Sequence, residues 1–166
     1  MRNCRFLRSS QANLDRGNAT GHPAMHGILF DLPAVAERAK SNFVAGGLEG
    51  SCSVMAGSFF ESVPPGADAY LMRHIIHDWD DDKATTILRN GRRAMQQGGK
   101  LLVVEGVVPP GNEPSVSKFF DLAMMVLPGG MERTEQEYRH LLESAGFRLT
   151  RIVPTQTWVS VIEGAA

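Results

Sequence analysis

Short apolar runs alternate with helix-patterned segments along most of this sequence, and that alternation constrains the fold more than any other feature. The runs GILFDLP, CSVMAG, DAYLMRHII and KLLVVEGVV each have the length of a buried strand. Between them, AVAERAKSNFVAGG and the segment after Trp79 carry apolar residues at helical spacing. KLLVVEGVV is rich in valine and almost continuously apolar, which is typical of a strand covered on both faces. We therefore predict an α/β fold with a doubly wound, mostly parallel sheet.

The last third of the sequence predicts two further helices and a final pair of strands. KFFDLAMMVL is predicted to form a buried helix. Thr134 and Glu137 have the spacing of a capping box, which predicts the start of another helix. FRLTRIVPT and WVSVIEG follow closely on each other and predict two strands, with an antiparallel strand at the C-terminal end.

Composition and charge exclude several classes of partner. The 166 residues suit one domain, and the formal net charge of -1 provides no field that favours nucleic acid or an anionic membrane. The start, MRNCRFLRSS, lacks the apolar core of a targeting peptide. Cys4 and Cys52 form no disulfide framework, which favours a reducing, cytoplasmic location. We predict that neither nucleic acid nor membrane is a partner.

The ends of the predicted strands carry the candidate functional residues, because ligands of such sheets bind beyond the carboxyl ends of the strands. Asp31 ends the first clear strand, where a carboxylate can accept two hydrogen bonds from a ribose diol. Since Pro33 follows closely, a helix cap or turn is the alternative role for Asp31, and the residue taken alone favours that alternative.

A histidine and two acids form the second candidate group. His77 ends the third predicted strand, and its imidazole can take a proton near neutral pH. Glu105 ends the next strand, and Glu132 lies in the loop GGMERT; two carboxylates beside an imidazole could fix its tautomer. The spacing alone favours the simpler alternative, in which His77 is a polar strand end and both acids are solvated.

Other chemistries find little support in the motifs. His74 and His77 with Asp78 and Asp80 match no strong metal-ligand spacing, so we predict no metal site. The sequence contains neither a P-loop nor a G-x-G-x-x-G loop, and the absence of G-x-S-x-G argues against an unrelated α/β hydrolase.

Four segments in their natural order resemble one family. They are GILFDLPAVAERA, AGSFFESVPPGADAYLMRHIIHDWDDDKATTILRNGRRAM, GGKLLVVEGVVPP and GGMERTEQEYRHLLESAGF. This combination resembles the catalytic domain of the S-adenosylmethionine-dependent O-methyltransferases, which include plant caffeic acid and flavonoid, hydroxyindole and bacterial polyketide enzymes. The resemblance runs from about residue 22 to residue 164.

The resemblance implies a Rossmann-like sheet, S-adenosylmethionine as cofactor and a small hydroxylated acceptor that is aromatic or polyketide-like. It implies that Asp31 binds the ribose, that His77 is the base for the acceptor hydroxyl, and that Glu105 and Glu132 flank His77. The remaining cofactor-binding residues it implies are Ser58, Phe59 and Arg73. Phe119, Phe120, Met124, Met125 and Met131 are candidates for the acceptor pocket. The resemblance leaves open whether the rate depends more on holding the acceptor oxygen, the methyl group and the sulfur in line or on base catalysis by His77.

The sequence departs from the family pattern in two ways. Ser58 stands where the family usually has Asp, and Arg73 replaces a usual Lys. The family's N-terminal dimerisation domain and its D-x-G-G-G-x-G loop are missing from the pattern, so the chain resembles an N-terminally truncated member and homodimerisation stays open. We expect an anomalous segment over residues 1–22, with disorder as an open alternative, and a partial catalytic domain over residues 23–166.

This departure predicts that the family's first strand and its Gly-rich loop are absent or degenerate. Three arginines in the first eight residues make that segment unfavourable as a central strand. Two functions follow as alternatives: an O-methyltransferase, or a non-catalytic truncated remnant that serves as an interaction module.

Overall fold

The computed structural model describes residues 2–7, 25–47, 50–127 and 129–166, with only the backbone described for the first range. The strands are β1 Arg2–Leu7, β2 Met25–Asp31, β3 Cys52–Ala56, β4 Ala69–Arg73, β5 Lys100–Val108, β6 Arg133–Thr134, β7 Arg148–Pro154 and β8 Val159–Ala165. The helices are α1 Pro33–Gly46, α2 Asp81–Ala94, α3 Val116–Val126 and α4 Glu135–Ser144, with a 3-10 turn over Ile76–Asp78. None of the helices in these ranges combines the length and apolarity that a membrane crossing requires.

The strands form one sheet in the order β3-β2-β1-β4-β5-β8-β7, and β6 pairs with β5 beside this path. Neighbours from β3 to β5 are parallel, whereas β8 runs antiparallel to both β5 and β7. The prediction of a mostly parallel α/β sheet with an antiparallel C-terminal strand is therefore confirmed.

The prediction that the family's first strand is absent or degenerate is corrected in its first alternative, because a central strand is present. β1 pairs in parallel with β2 from Arg2 to Leu7 and with β4 from Cys4 to Leu7. The physical reason is that an open centre would leave the backbone groups of two buried strands unpaired, and closing both ladders outweighs the arginines of this segment. The predicted loss of the Gly-rich loop concerns residues outside the described ranges, and the domain division at residue 22 stays a prediction.

Helices on both faces of the sheet bury its apolar side chains. The larger core lies under α2 and α4, where Tyr70, Ile87, Leu101 and Leu142 are at most 1% exposed. On the other face, Leu29, Ala39, Phe43 and Cys52 pack together beneath α1. Burial of this kind supplies most of the driving force for folding, at roughly 25 cal/mol per Å² of apolar surface.

Helix α3 differs from the prediction of a buried helix. Phe119 is 71% exposed, Leu122 and Met125 are each 62% exposed, and Val126 is 80% exposed. Its polar Ser117 is the buried side chain, donating a hydrogen bond to the carbonyl oxygen of Val107 at 3.1 Å. An apolar composition predicts that a surface is suited to burial but does not determine what covers it.

Candidate active site

The carboxyl ends of the parallel strands bring the predicted site residues to one edge of the sheet. Leu7 of β1 pairs with Phe30 of β2 on one side and with Met72 of β4 on the other. Asp31 and Arg73 are the next residues of those two strands, so they lie at the same level of the sheet. This edge is where ligands of open α/β sheets bind.

His77 lies in a short turn and not at the end of a strand, which corrects the sequence prediction. β4 ends at Arg73, and His74 then adopts a positive φ of 51°, which turns the chain out of the sheet. The 3-10 turn Ile76–Asp78 follows and places His77 in the site with 7% exposure. A left-handed conformation at a non-glycine residue is uncommon and marks positions that tertiary contacts determine.

Glu105 holds the backbone of this turn. Its Oε1 accepts hydrogen bonds from the N–H groups of Ile75 at 2.9 Å and Ile76 at 2.8 Å. Its Oε2 accepts a longer bond from the N–H of His77 at 3.3 Å and lies 3.4 Å from His77 Nδ1. Glu105 lies within β5 and is fully buried, so the alternative of a solvated acid at a strand end is wrong for this residue.

Glu132 binds the imidazole directly. Its Oε1 lies 2.8 Å from His77 Nδ1, and its own N–H donates to Asp121 Oδ1 of α3 at 2.9 Å. Glu132 is 4% exposed, so it is not a solvated loop acid either. Its Oε2 has no hydrogen-bond partner among the described residues. Gly106 leaves room for that buried oxygen, since a Cβ there would lie 2.9 Å from it.

The acids change the proton affinity of His77. Burial lowers the pKa of the imidazole, but the hydrogen bond that its Nδ1–H donates to Glu132 and the charges of Glu105, Glu132 and Asp78 together raise it above 6.5. Burial also raises the pKa of Glu105 to about 7, although the charge of His77 and the backbone hydrogen bond from Ile75 oppose that rise. With Nδ1–H donated to Glu132, Nε2 is the nitrogen that can take up a proton.

Glu105→Gln is expected to flatten the dependence of stability on pH. The pKa of Glu105 is raised from 4.5 to about 7 in the folded state, so the folded protein holds this proton more tightly than the unfolded chain does. The contribution of Glu105 to the free energy of unfolding is therefore complete below pH 4.5 and is lost as pH rises through 7. The full rise corresponds to roughly 3 kcal/mol of unfolding free energy, which the amide variant does not lose. The raised pKa of His77 also lowers stability as pH rises above 6.5. The variant therefore keeps a smaller dependence of stability on pH.

Urea denaturation at pH 5, 6 and 7 measures this effect. Glu143→Gln removes an exposed acid of α4 and serves as the matched control, which should keep the slope of the unmodified protein. Equal slopes for Glu105→Gln and the unmodified protein would show that Glu105 is already ionised at pH 5.

Asp31, the predicted ribose ligand, lies two strands away from the strand that leads to His77. Asp31 is 3% exposed, and its Oδ1 accepts a hydrogen bond from the N–H of the next residue, Leu32, at 2.7 Å. The N–H of Gly57 donates to the carbonyl oxygen of Asp31 at 2.9 Å, which brings the following Ser58 to the same edge. β1 separates β2 from β4, so Asp31 is about 10 Å from the β4 end by strand spacing.

The other two predicted cofactor residues differ in exposure. Phe59 is buried in the larger core at 9% exposure, whereas Arg73 is exposed at the end of β4. Ser58 Oγ accepts a hydrogen bond from the N–H of Phe60 at 3.3 Å. Phe59 therefore shapes this edge from below, and Arg73 is available to a ligand from solvent.

An aromatic stack beside the acids was not predicted. Trp158 lies parallel to Phe120, with ring centroids 4.5 Å apart, and against His74 at 5.5 Å. His74 in turn lies 5.2 Å from the His77 ring. The only sequence signal was a tryptophan at the start of the last apolar run, and its position beside the site depends on the pairing of β8 with β5.

The histidines and Glu105 also bring possible metal-ligand atoms together. One ligand atom each of His74, His77 and Glu105 lies within 4.8 Å of the others. This set differs from the one weighed from the sequence, because Asp80 instead caps α2 by accepting from the N–H of Lys83 at 2.9 Å. The oxygens of Glu105 already accept backbone hydrogen bonds, which leaves them poorly disposed toward a cation.

Comparisons with known proteins agree with this architecture. The sequence matches the family model of the O-methyltransferase domain over residues 16–148. It is 45% identical over 141 residues to phenazine O-methyltransferase PhzM of Lysobacter antibioticus, covering 85% of this chain and 41% of that protein. The crystal structure of LaPhzM matches with a TM-score of 0.94 and 39% identity, covering 99% of this chain and 49% of that one.

A second solved structure carries ligands. The O-methyltransferase NcsB1 from neocarzinostatin biosynthesis, in complex with S-adenosylmethionine and 2-hydroxy-5-methyl naphthoic acid, matches with a TM-score of 0.88 and 33% identity. The match covers 99% of this chain and 48% of NcsB1. The chain thus spans about half the length of these relatives. The extent of the family match and the identity to PhzM show that this chain belongs to the O-methyltransferase family.

Proposed function

We propose that this chain carries the methyl-transfer site of an S-adenosylmethionine-dependent O-methyltransferase acting on a small aromatic or polyketide-like hydroxyl. The observation that carries the proposal is the 2.8 Å contact between His77 Nδ1 and Glu132 Oε1 at the ligand-binding edge of the sheet. The naphthoic acid bound by NcsB1 supports a flat aromatic acceptor. The chain spans about half the length of NcsB1, so methyl transfer by this chain is itself part of the proposal.

The buried pair of His77 and Glu132 supplies acid–base chemistry. Donation of Nδ1–H to Glu132 fixes the tautomer, so that Nε2 presents a lone pair to the acceptor hydroxyl. As the hydroxyl proton moves to Nε2, the imidazole becomes positive, and the two carboxylates stabilise that charge in a site with little water. The oxygen that loses its proton becomes the nucleophile.

The proposed cofactor residues suit the chemistry of S-adenosylmethionine, which when bound supplies a methyl group on a positive sulfonium. Asp31 offers a buried carboxylate at the end of β2, the group that accepts hydrogen bonds from ribose hydroxyls. Ser58, Phe59 and Arg73 complete the proposed set. Serine at position 58 offers a neutral hydrogen-bonding group where most of the family has a carboxylate, so we expect weaker contact with the adenosine part.

Isothermal titration calorimetry with S-adenosylmethionine tests the proposal. We expect saturable binding in the micromolar range, and Asp31→Asn should weaken it by about tenfold because the amide is a poorer acceptor for the ribose diol. Asp82→Asn, an exposed acid in the first turn of α2, is the matched control and should bind as the unmodified protein does. Absence of heat at millimolar ligand would contradict the proposal for this chain.

The second candidate function is a non-catalytic interaction module, and the exposed face of α3 favours it. Phe119, Leu122, Met125 and Val126 are each more than 60% exposed on one helix, which is unusual for a protein surface without a partner. If the chain does not bind S-adenosylmethionine and associates with itself in sedimentation experiments, this alternative is supported. Homodimerisation and a cytoplasmic location stay predictions of the sequence.

A further inference from the structure

Arg133 is a buried cation whose contacts go to the turn that carries His77. It is 1% exposed, although the carboxylate of its ionic partner, Asp81, is 69% exposed. Nε and Nη2 bind Asp81 Oδ1 at 3.0 and 2.8 Å. Nη1 donates to the carbonyl oxygen of Ile76 at 3.2 Å, and Nη2 donates to that of Trp79 at 2.9 Å. Taking a guanidinium out of water costs several kcal/mol, so these contacts must compensate for that loss.

The carbonyl groups bound by Arg133 flank His77 on both sides. Ile76 precedes His77 directly, and Trp79 follows two residues later. On the opposite side of the same turn, Glu105 accepts the N–H groups of Ile75 and Ile76. One carboxyl group therefore holds the N–H groups and one guanidinium holds the carbonyl groups. A single 3-10 turn is weak by itself, so these two side chains determine where it lies.

The segment that leads into β6 supplies Arg133 and also the partner of the imidazole. Glu132 Oε1 lies 2.8 Å from His77 Nδ1, and the N–H of Met131 donates to the carbonyl oxygen of His77 at 2.9 Å. Three consecutive residues thus bind the backbone before, at and after His77 as well as its ring. A displacement of the turn by 1 Å would break the short Nδ1–Oε1 contact, and such shifts typically cost about a hundredfold in rate.

We propose that Arg133 is a positioning residue for the imidazole of His77, acting through the carbonyl groups of Ile76 and Trp79 and not through its charge alone. The inference rests on the proposed function, because it assigns the purpose of the held turn to proton transfer. The alternative is that Arg133 only balances the charges of Glu105 and Glu132. Lysine would serve that alternative equally well. Its single ammonium cannot reproduce the planar fork that reaches four acceptors, which are Asp81 Oδ1 and the carbonyl oxygens of Ile76, Trp79 and Met131.

Arg133→Lys therefore separates the two roles, and the pKa of His77, followed by NMR of the imidazole, is the readout. The titratable or charged groups around that ring are Asp78, Glu105, Glu132 and the tilted ring of His74. If Arg133 positions the turn, the Glu132 contact loosens in the variant and the pKa of His77 falls toward 6.5. Turnover should then fall by about tenfold or more, with KM for S-adenosylmethionine changed less than about twofold.

Arg139→Lys is the matched control, because Arg139 makes an exposed pair with Glu135 at 3.0 Å on α4. It should leave both the pKa of His77 and turnover unchanged. A folded Arg133→Lys protein with an unchanged His77 pKa would overturn the proposal. If that variant does not fold, Asp81→Ala is measured instead, because it removes the carboxylate that binds Nε and Nη2 of Arg133. A smaller fall in the pKa is then expected, and an unchanged pKa again overturns the proposal.

The NMR measurement requires no methyl transfer, so the two proposals fail separately. A fall in the His77 pKa in a chain that does not bind S-adenosylmethionine supports positioning by Arg133 and contradicts the methyltransferase proposal. If the chain binds S-adenosylmethionine and turns over while the pKa of His77 is unchanged in Arg133→Lys, the methyltransferase proposal is supported and positioning by Arg133 is contradicted.

Discussion

Gly130→Ala is expected to destabilise the protein by about 3 kcal/mol and to displace the turn that carries His77. A Cβ at this position would collide with the carbonyl oxygen of His77 and lie 2.5 Å from the carbonyl carbon of Asp78. Both are backbone atoms, and the turn is held by Glu105 and Arg133, so neither can move aside cheaply. The glycine is required by space, since the φ of Gly130 is not among the positive ones.

Urea denaturation followed by circular dichroism measures the loss of stability. Gly50→Ala is the control, because a methyl group there meets no described atom within 4 Å. Its unfolding free energy should stay within about 0.5 kcal/mol of the unmodified protein. If the unfolding free energy of Gly130→Ala stays within that range too, the backbone of residues 77 and 78 moves aside at little cost. The prediction is then wrong.

His77→Gln is expected to reduce turnover by about 10²- to 10⁴-fold while changing affinity for S-adenosylmethionine little. Glutamine keeps a polar side chain of comparable length but has no lone pair that accepts a proton near neutral pH. The proposed cofactor residue Asp31 lies on β2, two strands from the turn, so cofactor binding should persist. Transfer of a labelled methyl group to 1,4-dihydroxy-2-naphthoic acid, the compound bound by NcsB1, provides the assay.

The pH dependence gives this prediction a second readout. A base must be neutral to act, so the rate in the unmodified protein should rise with pH through the raised pKa of His77, and this rise should vanish in the variant. His140→Gln, an exposed position on α4, is the control and should retain both rate and profile. Parallel loss of turnover and affinity would contradict the base role. Unchanged turnover would mean that alignment of the reacting atoms carries the rate.

Local pattern was sufficient for most of the elements of the fold. The apolar runs predicted β2 to β5, and the capping box at Thr134 and Glu137 is present at the start of α4. These features depend on neighbours in the chain, through side-chain periodicity and backbone hydrogen bonds that a few residues satisfy among themselves. The resemblance to the family likewise rested on local motifs, and the match over residues 16–148 confirms it.

Strand ends and burial were less predictable, because they depend on which segments meet. The apolar run DAYLMRHII predicted a strand through Ile76, yet the strand ends at Arg73. Beyond that point the N–H groups of Ile75 and Ile76 bond to a carboxylate from β5, and no neighbouring strand takes them. Apolar composition likewise predicted a buried α3, whereas Phe119 is 71% exposed.

The sequence by itself determined the parallel α/β order, the candidate residues and their family, because those follow from periodicity and motif. Only the tertiary structure decided that Arg2–Leu7 completes the centre of the sheet and that Glu105 holds a backbone turn while Glu132 holds the imidazole. The physical reason is that ladder closure and buried-charge pairing are set by contacts between residues far apart in the chain. Their free energy depends on the whole surrounding structure and cannot be assigned to any single segment.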